Sequence, residues 1–315
     1  MRIAGIIVNY RTAELTLRVA RSLRNEMKAL APSRLYIVDN DSADGSTMLF
    51  RQAAAQEGWD DVEILQAPRN GGFGYGINQA VRKAAELRDP PEYFYILNSD
   101  AFVDPGSLLR LVSFVDEHPE AGLAGSHIHA PDGSSQVAAF RFPSLWSELE
   151  SSANFGVLTN LLRKHVVSLP VPESSCEVEW IPGTSMLIRR STFEKAGLFD
   201  EGFFLYFEEI DFCRSARLVG CKAYYVADAP ITHIGSVSTG MGDRTRRMPA
   251  YWFASRRRYF RKHHGVAYAA ACDLARIIGM LVWHFKERLV GRSGETRPHL
   301  MRDFITECLA HLGRA

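Results

Sequence analysis

Residues 3–9 read Ile-Ala-Gly-Ile-Ile-Val-Asn, and this short apolar run predicts a buried strand at the start of the chain. Apolar residues at helical spacing follow over residues 12–30, and Pro32 ends the pattern. The same alternation continues with strand-like runs at residues 35–38, 62–65 and 93–97 and helical runs at 48–56 and 77–87. Strands that alternate with helices predict an α/β fold, in which a mixed, mostly parallel sheet is flanked by helices.

The second half of the chain is less regular. Its predicted elements are strands at residues 180–189 and 224–226, a helix within the acidic segment 203–218, and a helix at residues 266–289. We therefore expect one α/β domain over residues 1–243 and a basic helical extension over residues 244–315.

The composition is that of a soluble globular protein. The 315 residues include 37 Lys and Arg against 36 Asp and Glu, with 46% hydrophobic and 23% charged residues, which argues against a dedicated nucleic-acid binder. Five cysteines without a C-x-x-C pair fit reduced thiols in a cytoplasmic protein. The strand-like start leaves no room for a signal peptide, and Asp273 and Arg276 argue against a membrane-spanning helix at residues 266–285.

Polar residues follow two of the predicted strands, and ligands of parallel sheets bind beyond the carboxyl ends of the strands. One polar loop covers residues 39–46, and another, Asn98-Ser99-Asp100, follows the fourth strand. A single acid at a strand end is often only a turn or N-cap residue. Residues 104–106 read Asp-Pro-Gly and already supply a turn, so Asp100 is available to face the crevice.

A second group of acids lies in residues 203–211, which read Phe-Phe-Leu-Tyr-Phe-Glu-Glu-Ile-Asp. Carboxylates beside so much aromatic surface have raised pKa values unless they are paired, which is how general bases arise. The alternative is a first helical turn whose acids only interact with the helix dipole, worth about 0.3–1 kcal/mol each.

His233 follows the last predicted strand. A lone histidine is most often a surface or capping residue. If His233 joins Asp100 in one crevice, the two would instead complete a divalent-metal site, because oxygen ligands with one imidazole suit Mn²⁺ or Mg²⁺.

Residues 71–76 read Gly-Gly-Phe-Gly-Tyr-Gly, which would let the backbone approach a ligand closely. The dinucleotide fingerprint needs a strand immediately before the glycines and an acid about 20 residues later, and this spacing matches poorly. The P-loop motif does not occur in the sequence. The sequence therefore argues against NAD and ATP as ligands.

Taken in order, these blocks resemble a known family. They are residues 6–10, 38–46, 70–74 with Asn78, 97–100, 183–190 and 197–211. Together they are similar to the family 2 glycosyltransferases of the Rossmann-like GT-A fold, and specifically to the bacterial rhamnosyltransferase-like branch. The resemblance covers about residues 1–240, roughly three quarters of the chain.

The resemblance implies inverting transfer of a sugar, with rhamnose as the expectation for this branch, from a dTDP- or UDP-sugar with Mn²⁺ or Mg²⁺. It implies that Asp39 accepts a hydrogen bond from the nucleobase, that Asp100 and His233 hold the metal, and that Glu209, or in reserve Glu208, is the general base. The implied nucleotide-sugar site comprises Val8, Asn9, Asp39, Asn70, Gly72, Asn98, Ser99 and Asp100. The implied acceptor side comprises Trp180, Gly183 and Asp211.

The sequence departs from the family pattern twice. Asn98-Ser99-Asp100 stands where the family has D-x-D, and Glu208-Glu209 stands where it has Glu-Asp. We expect a lipid-linked or growing cell-surface saccharide as the acceptor, and a cytoplasmic protein that contacts the inner face of the membrane. Two alternatives are a non-catalytic saccharide- or membrane-binding module and a sugar-1-phosphate nucleotidyltransferase, which would need glycines directly after the first strand.

The stretch from residue 244 to residue 264 contains eight Lys and Arg and no Asp or Glu. An ordinary solvated helix face, an anionic membrane surface or lipid diphosphate, and, less favoured, nucleic acid would each suit such a stretch. Arg244, Arg246 and Arg247 follow His233 closely, so contact with the donor diphosphate is a further alternative.

Overall fold

The computed structural model describes residues 1–235, 243–290 and 297–312. The strands are β1 (Ile3–Asn9), β2 (Ser33–Asp39), β3 (Val62–Gln66), β4 (Tyr93–Asn98), β5 (Ala101–Val103), β6 (Ala121–His129), β7 (Ser135–Gln136), β8 (Cys176–Val178), β9 (Ser185–Arg189) and β10 (Lys222–His233). The helices are α1 (Ala13–Met27), α2 (Ser46–Glu57), α3 (Phe73–Ala85), α4 (Ser107–Glu117), α5 (Leu145–Ala153), α6 (Gly156–Leu161), α7 (Arg190–Ala196), α8 (Glu208–Leu218), α9 (Ala250–Val290) and α10 (Leu300–Leu312).

The strands form one mixed sheet in the order β3-β2-β1-β4-β9-β6-β10-β5, with β7 beside β6 and β8 beside β10. The half that contains β3, β2, β1 and β4 is parallel throughout. β9 runs antiparallel to both of its neighbours, β4 and β6, while β6 and β10 are again parallel. The predicted mixed α/β sheet with a C-terminal helical extension is confirmed.

The parallel half follows directly from the apolar runs. Every residue of β1 is buried, as expected for a central strand covered by helices on both faces. β1 and β4 end side by side, with Val8 opposite Asn98. The polar residues after these strands therefore meet at one edge of the sheet.

Three predicted elements have different bounds in the structure. β9 begins only at Ser185, because Pro182 and Gly183 interrupt the run that predicts a strand over residues 180–189. β10 is much longer than residues 224–226 and contains a bulge between Val226 and Pro230. α3 begins at Phe73, so the last two glycines of residues 71–76 lie inside a helix.

Those two glycines allow close packing. A Cβ at Gly76 would lie 2.7 Å from Val8 Cγ1, and one at Gly74 would lie 3.0 Å from Phe199 Cβ. Part of the glycine-rich stretch therefore packs a helix against β1 and against the loop that contains Phe199.

The C-terminal extension is joined to the sheet domain by buried ion pairs. Arg256 is 1% exposed, and it donates through Nε to Glu148 Oε2 at 3.0 Å and through Nη1 to Asp273 Oδ1 at 2.5 Å. Arg276 donates to the same Glu148 oxygen at 2.9 Å. We call these four residues the Arg256 cluster. They attach α9 to α5, and burial of one of its arginines shows that the basic stretch is more than a solvated face.

Other cations of the basic stretch also pair within the protein. Arg258 donates to Asp200 at 2.8 Å, and Lys262 donates to both Asp200 and Asp211. α9 consists of two helical parts that meet at Gly265, whose φ of +83° and ψ of 172° are not helical. Among the described helices, the segment Ala250–Leu289 is the one that is long and apolar enough to cross a membrane, with a mean hydropathy of 1.6 in its most apolar window. Only 28% of that window is buried inside the protein.

Candidate active site

A cavity of about 380 Å³ lies at the edge of the sheet where β1 and β4 end. The predicted site residues that line it are Val8, Asn70, Gly72, Asn98, Ser99, Asp100, Gly183, Glu208, Glu209 and His233. Residues from both halves of the chain thus meet in one cavity, because β9 returns beside β4 and α8 begins close to it.

Asp100 and His233 are neighbours in this cavity. β5 and β10 pair antiparallel so that His233 lies opposite Ala101, and His233 Nε2 lies 3.3 Å from Asp100 Oδ1. The Ile234 N–H also donates to the Asp100 carbonyl at 3.0 Å. His233 Nδ1 lies 3.2 Å from the acceptor Gln136 Oε1, which favours the tautomer with the proton on Nδ1. Nε2, which faces the carboxylate, then keeps its lone pair for a metal.

This pair fits a divalent metal that a substrate helps to hold. Among the described residues, no three His, Cys, Asp or Glu side chains converge on one point. Mg²⁺-type sites commonly use one or two protein ligands together with substrate phosphates and water. One carboxylate and one imidazole at the cavity wall match that pattern, with Mn²⁺ the better partner of the imidazole.

Glu208 and Glu209 form the first turn of α8 and face the same cavity. Glu208 is 2% exposed, and the Oε2 atom of each glutamate is buried without a hydrogen-bond partner among the described residues. Burial raises the pKa of Glu209 to about 7. Burial, with the charge of Glu209 beside it, raises the pKa of Glu208 well above its ordinary value. The cavity therefore contains a carboxyl group that titrates near neutrality.

The backbone before these glutamates is held in an uncommon conformation. Tyr206 and Phe207 have φ values of +66° and +70°, a region that costs most non-glycine residues of order 1–3 kcal/mol. Gly72, with φ +95°, lies so close to this segment that an added Cβ would be 1.8 Å from the Phe204 carbonyl oxygen. The Phe73 N–H donates to the same oxygen at 3.0 Å. This contact fixes the position of the segment that ends in Glu208.

The C-terminal extension also contributes to the cavity. Tyr251, in the first turn of α9, lines it and packs against Phe204 and Tyr206, with ring centroids 5.4 and 6.3 Å apart. Ser255 Oγ donates to the Leu205 carbonyl at 3.0 Å. The predicted division after residue 243 therefore assigns residues that line one cavity to two parts of the chain. Sequence reasoning missed Tyr251, whose only signal was its place among aromatic residues in the basic stretch.

Two predicted nucleotide-binding residues, Asn9 and Asp39, do not line the cavity. Asp39 is 2% exposed and accepts hydrogen bonds from Asn9 Nδ2 at 2.8 Å, from Thr47 Oγ1 at 3.2 Å and from both the N–H and hydroxyl of Ser42. Its acceptor positions are thus filled by the protein. The role of Asp39 toward a nucleobase stays a prediction, and it would require one of these bonds to open.

The neighbouring Asn40 does line the cavity, and sequence reasoning missed it as a binding residue. Its Nδ2 donates to Asn70 Oδ1 and to the Gly72 carbonyl, both at 3.0 Å. Its Oδ1 is buried without a partner among the described residues.

Two residues predicted on the acceptor side lie outside the cavity. Trp180 stacks on Phe140 with centroids 4.1 Å apart, and its Nε1–H donates to the Arg141 carbonyl at 2.8 Å. Asp211 accepts from Lys262 Nζ at 2.8 Å and contacts His263 Nε2 at 2.7 Å, so its carboxylate binds α9. Gly183 is the predicted acceptor-side residue that does line the cavity.

The three arginines predicted near the diphosphate do not line the cavity either. Arg247 forms a salt bridge with Asp303 of α10, and Arg246 lies 3.2 Å from Asp243. Both arginines therefore have partners on the C-terminal side of the molecule. Arg244 borders a different groove, beside Arg276 and Arg297.

The sequence is similar to those of known proteins. The model of the family described as Glycosyl transferase family 2 matches residues 6–211. An N-acetylglucosaminyl-diphospho-decaprenol L-rhamnosyltransferase of Mycobacterium tuberculosis (strain CDC 1551 / Oshkosh) is 29% identical over 220 residues, which are 66% of this chain and 69% of that protein.

Solved structures show the same fold at low identity. A mannosyltransferase, PcManGT from Pyrobaculum calidifontis in complex with GDP-Man and Mn²⁺, is similar with a TM-score of 0.59 at 13% identity, over 99% of this chain and 80% of that one. S. aureus TarS 1-349 in complex with UDP-GlcNAc is similar with a TM-score of 0.57 at 15% identity, over 98% of this chain and 81% of that one. The GT-A fold is thereby confirmed.

Proposed function

The chain belongs to glycosyl transferase family 2, and from this premise we propose that it is an inverting, metal-dependent transferase that moves rhamnose from a dTDP- or UDP-sugar to a lipid-linked saccharide. The prediction from the sequence that the protein is a glycosyltransferase is confirmed. The rhamnosyltransferase relative supports the sugar and the lipid-linked acceptor, because its name states both. The observation that carries the proposal is one cavity that contains both the Asp100–His233 pair and the two glutamates, Glu208 and Glu209.

The Asp100–His233 pair and the two glutamates have different roles in this proposal. Asp100 and His233 hold the metal, which, when bound, stabilises the negative charge that develops on the leaving diphosphate. Asn98 and Ser99 lie beside them on the cavity wall, within the part that receives the donor. The acceptor hydroxyl enters from the side of α8 and attacks the anomeric carbon from the face opposite the diphosphate, which inverts that centre.

Glu209 is the general base in this proposal. Burial raises the pKa of Glu209 to about 7, and the charge of an ionised Glu209 in turn raises the pKa of the neighbouring Glu208. A carboxylate that titrates near neutral pH is matched to removing a proton from a hydroxyl group under cellular conditions. Glu208 stays protonated beside it, so that two negative charges are not buried together.

The donor half of the proposal is tested by incubating the protein with a panel of nucleotide sugars and Mn²⁺ and measuring release of nucleoside diphosphate. We expect release from dTDP-rhamnose or a UDP-sugar, and a loss of at least about a hundredfold in Asp100→Asn, because metal stabilisation of the leaving group is worth several kcal/mol. The exposed Asp60→Asn is the matched control. Full turnover in Asp100→Asn, or release of pyrophosphate, would contradict the proposal.

Contact with the inner face of the cytoplasmic membrane is the second part of the proposal. Five apolar side chains on the second half of α9 recur at intervals of three or four residues and are 45–72% exposed: Leu274, Ile278, Leu281, Phe285 and Leu289. Such spacing places them on one helix face about 22 Å long. A continuous exposed apolar face of this kind suits a peripheral contact with a bilayer, where a lipid-linked acceptor would be found.

Vesicle flotation tests this contact. We expect Leu281→Gln/Phe285→Gln to lose binding to vesicles while it keeps turnover on a soluble acceptor. The matched control is Met48→Gln/Leu109→Gln, which replaces two apolar residues of α2 and α4 that are 64% and 44% exposed. Equal flotation of the two double variants would contradict membrane contact through α9.

A further inference from the structure

A second groove, of about 400 Å³, lies away from the active-site cavity and shares no lining residue with it. It is formed by residues 141–144 before α5, by residues 164–165, by the last turns of α8 and by His264 of α9. Glu209 and Arg214, the nearest lining residues of the two sites on α8, are five residues apart, about 7.5 Å along that helix. We call it the basic groove.

The charge of the groove is strongly unbalanced. Its lining includes four permanent cations, Arg141, Lys164, Arg214 and Arg217, and a single acid, Glu179. The Glu179 carboxylate accepts the backbone N–H of Phe142, and Arg217 lies 3.1 Å from Glu177, just outside the lining. Even after these two contacts are taken into account, positive charge dominates the groove.

Two of the cations are held in place by the protein. Arg214 donates to Tyr259 Oη at 3.1 Å, and its guanidinium lies 5.2 Å from the centre of the Phe142 ring. Arg141 donates to the Val166 carbonyl at 3.0 Å. Each guanidinium has five N–H donors, so these contacts orient the groups and leave further donors for a ligand.

His264 lies at the wall of the groove. Its ring stacks on Tyr268, with centroids 4.4 Å apart, and its Nε2 is buried without a hydrogen-bond partner among the described residues. Burial and the nearby charges of Arg214 and His263 lower the pKa of His264. A buried polar atom without a partner is uncommon in native proteins.

The groove also borders the N-terminus of α5. Ser144 lines it and caps this nine-residue helix by accepting the Ser147 N–H. The positive end of the helix dipole adds to the field of the arginines and favours an anion.

From these observations we propose that the basic groove binds a phosphate group. Arginines orient phosphate oxygens through paired N–H donors. The phosphate group belongs either to a small soluble ion or to the headgroup of an anionic lipid. Leu218, which lines the groove and is 76% exposed, would touch the carbon part of a lipid.

The test measures inorganic phosphate binding by calorimetry, and flotation with phosphatidylcholine vesicles with or without phosphatidylglycerol. In Lys164→Gln/Arg217→Gln, both groups of which are exposed, we expect at least about a tenfold loss of phosphate affinity or of phosphatidylglycerol-dependent flotation. The matched control, Lys28→Gln/Lys195→Gln, removes the same charge from exposed positions outside the groove. Thermal unfolding verifies that all variants fold.

The pattern of losses decides the outcome. Phosphate binding that is lost in the groove variant alone supports a site for a soluble ion, and a loss confined to phosphatidylglycerol vesicles supports a lipid headgroup. Equal binding by groove and control variants overturns the proposal. So does phosphate binding that only Asp100→Asn abolishes, because the ion then occupies the active-site cavity. Wild-type protein that binds neither probe overturns it as well.

Discussion

The active-site cavity and the Arg256 cluster both contain buried acids, but their environments are opposite. In the cluster, Arg256 and Arg276 compensate the burial of Glu148 and hold its pKa below the ordinary value. In the cavity, no cation of the described residues pairs with Glu208 or Glu209, and burial raises both pKa values. The same residue type therefore stabilises the fold where it is paired and supplies a titratable group where it is not.

The largest expected effect concerns Glu209 itself. We expect Glu209→Gln to lower turnover by about 10²–10⁴-fold, the usual contribution of a general base. We also expect it to leave the free energy of unfolding unchanged or raised, because the buried Oε2 of Glu209 has no partner to lose. Nucleoside diphosphate release and urea unfolding measure the two quantities.

The exposed Glu173→Gln is the matched control for that variant. Turnover of Glu209→Gln within twofold of wild type would show that the unpaired acid is not the base.

The opposite result is expected in the Arg256 cluster. Arg256→Met removes the ion pairs of Arg256 with Glu148 and with Asp273. The loss of one partner of a buried ion pair lowers the free energy of unfolding by about 3–5 kcal/mol. Turnover per folded molecule should change little. Urea unfolding of Arg256→Met beside the exposed Arg261→Met gives the difference. Equal urea midpoints of Arg256→Met and Arg261→Met would show that the buried ion pairs do not stabilise the fold.

A smaller effect is expected where the backbone positions the glutamates. Gly72→Ala should destabilise the protein by about 2–4 kcal/mol and lower kcat, because its Cβ would clash with the Phe204 carbonyl at a positive φ. Gly133→Ala is a matched control, since Gly133 has φ +83° with nothing within 4 Å of the added Cβ. Equal losses in both variants would mean that φ alone matters and that the contact does not position the segment.

The smallest effect is the dependence of stability on pH. Between the ordinary glutamate pKa of 4.5 and about 7, the folded protein binds more protons at Glu209 than the unfolded chain does. Stability should therefore fall as the pH rises through this window, by about 1–3 kcal/mol. The Glu148 pairs act in the opposite direction, because their contribution is present above pH 4.5 and is lost as the pH falls through the lowered pKa of Glu148.

Unfolding measured across this pH range in wild type and in Glu209→Gln checks the assignment, and the variant should show a flatter decline. We expect kcat/KM to rise near pH 7, where Glu209 ionises. This rise should persist in Glu208→Gln, because Glu209 is still present. Its disappearance in Glu208→Gln would assign the base to Glu208 instead.

Much of the cavity follows from local patterns in the sequence. The apolar runs of β1 and β4 predict that their polar ends meet, and Asp100 and His233 do lie together. Nothing in the sequence around Asn40 marks it as a cavity residue, and only the structure shows that neighbouring hydroxyl and amide groups occupy the carboxylate of Asp39. Glu208 and Glu209 could be proposed from sequence because their apolar neighbours are adjacent in the chain.

Long-range pairing could not be predicted in this way. Arg256 and Glu148 are 108 residues apart, and nothing near either residue names its partner. The cations of residues 244–264 resemble a surface stretch until the fold supplies Glu148, Asp200 and Asp211. Tyr251 enters the cavity for the same reason, since α9 returns to the sheet domain only in three dimensions.

The contacts of Tyr251 and Ser255 with residues 204–206 have a consequence for how the protein is made. A ribosome completes residues 6–211, the part that matches the family, well before it adds the side chains that close the cavity. Until α9 emerges, Asp211 lacks Lys262 and His263, and the segment before Glu208 lacks its outer support. The emerging enzyme therefore acquires its finished active site late in synthesis, when the last quarter of the chain folds back onto residues 204–211.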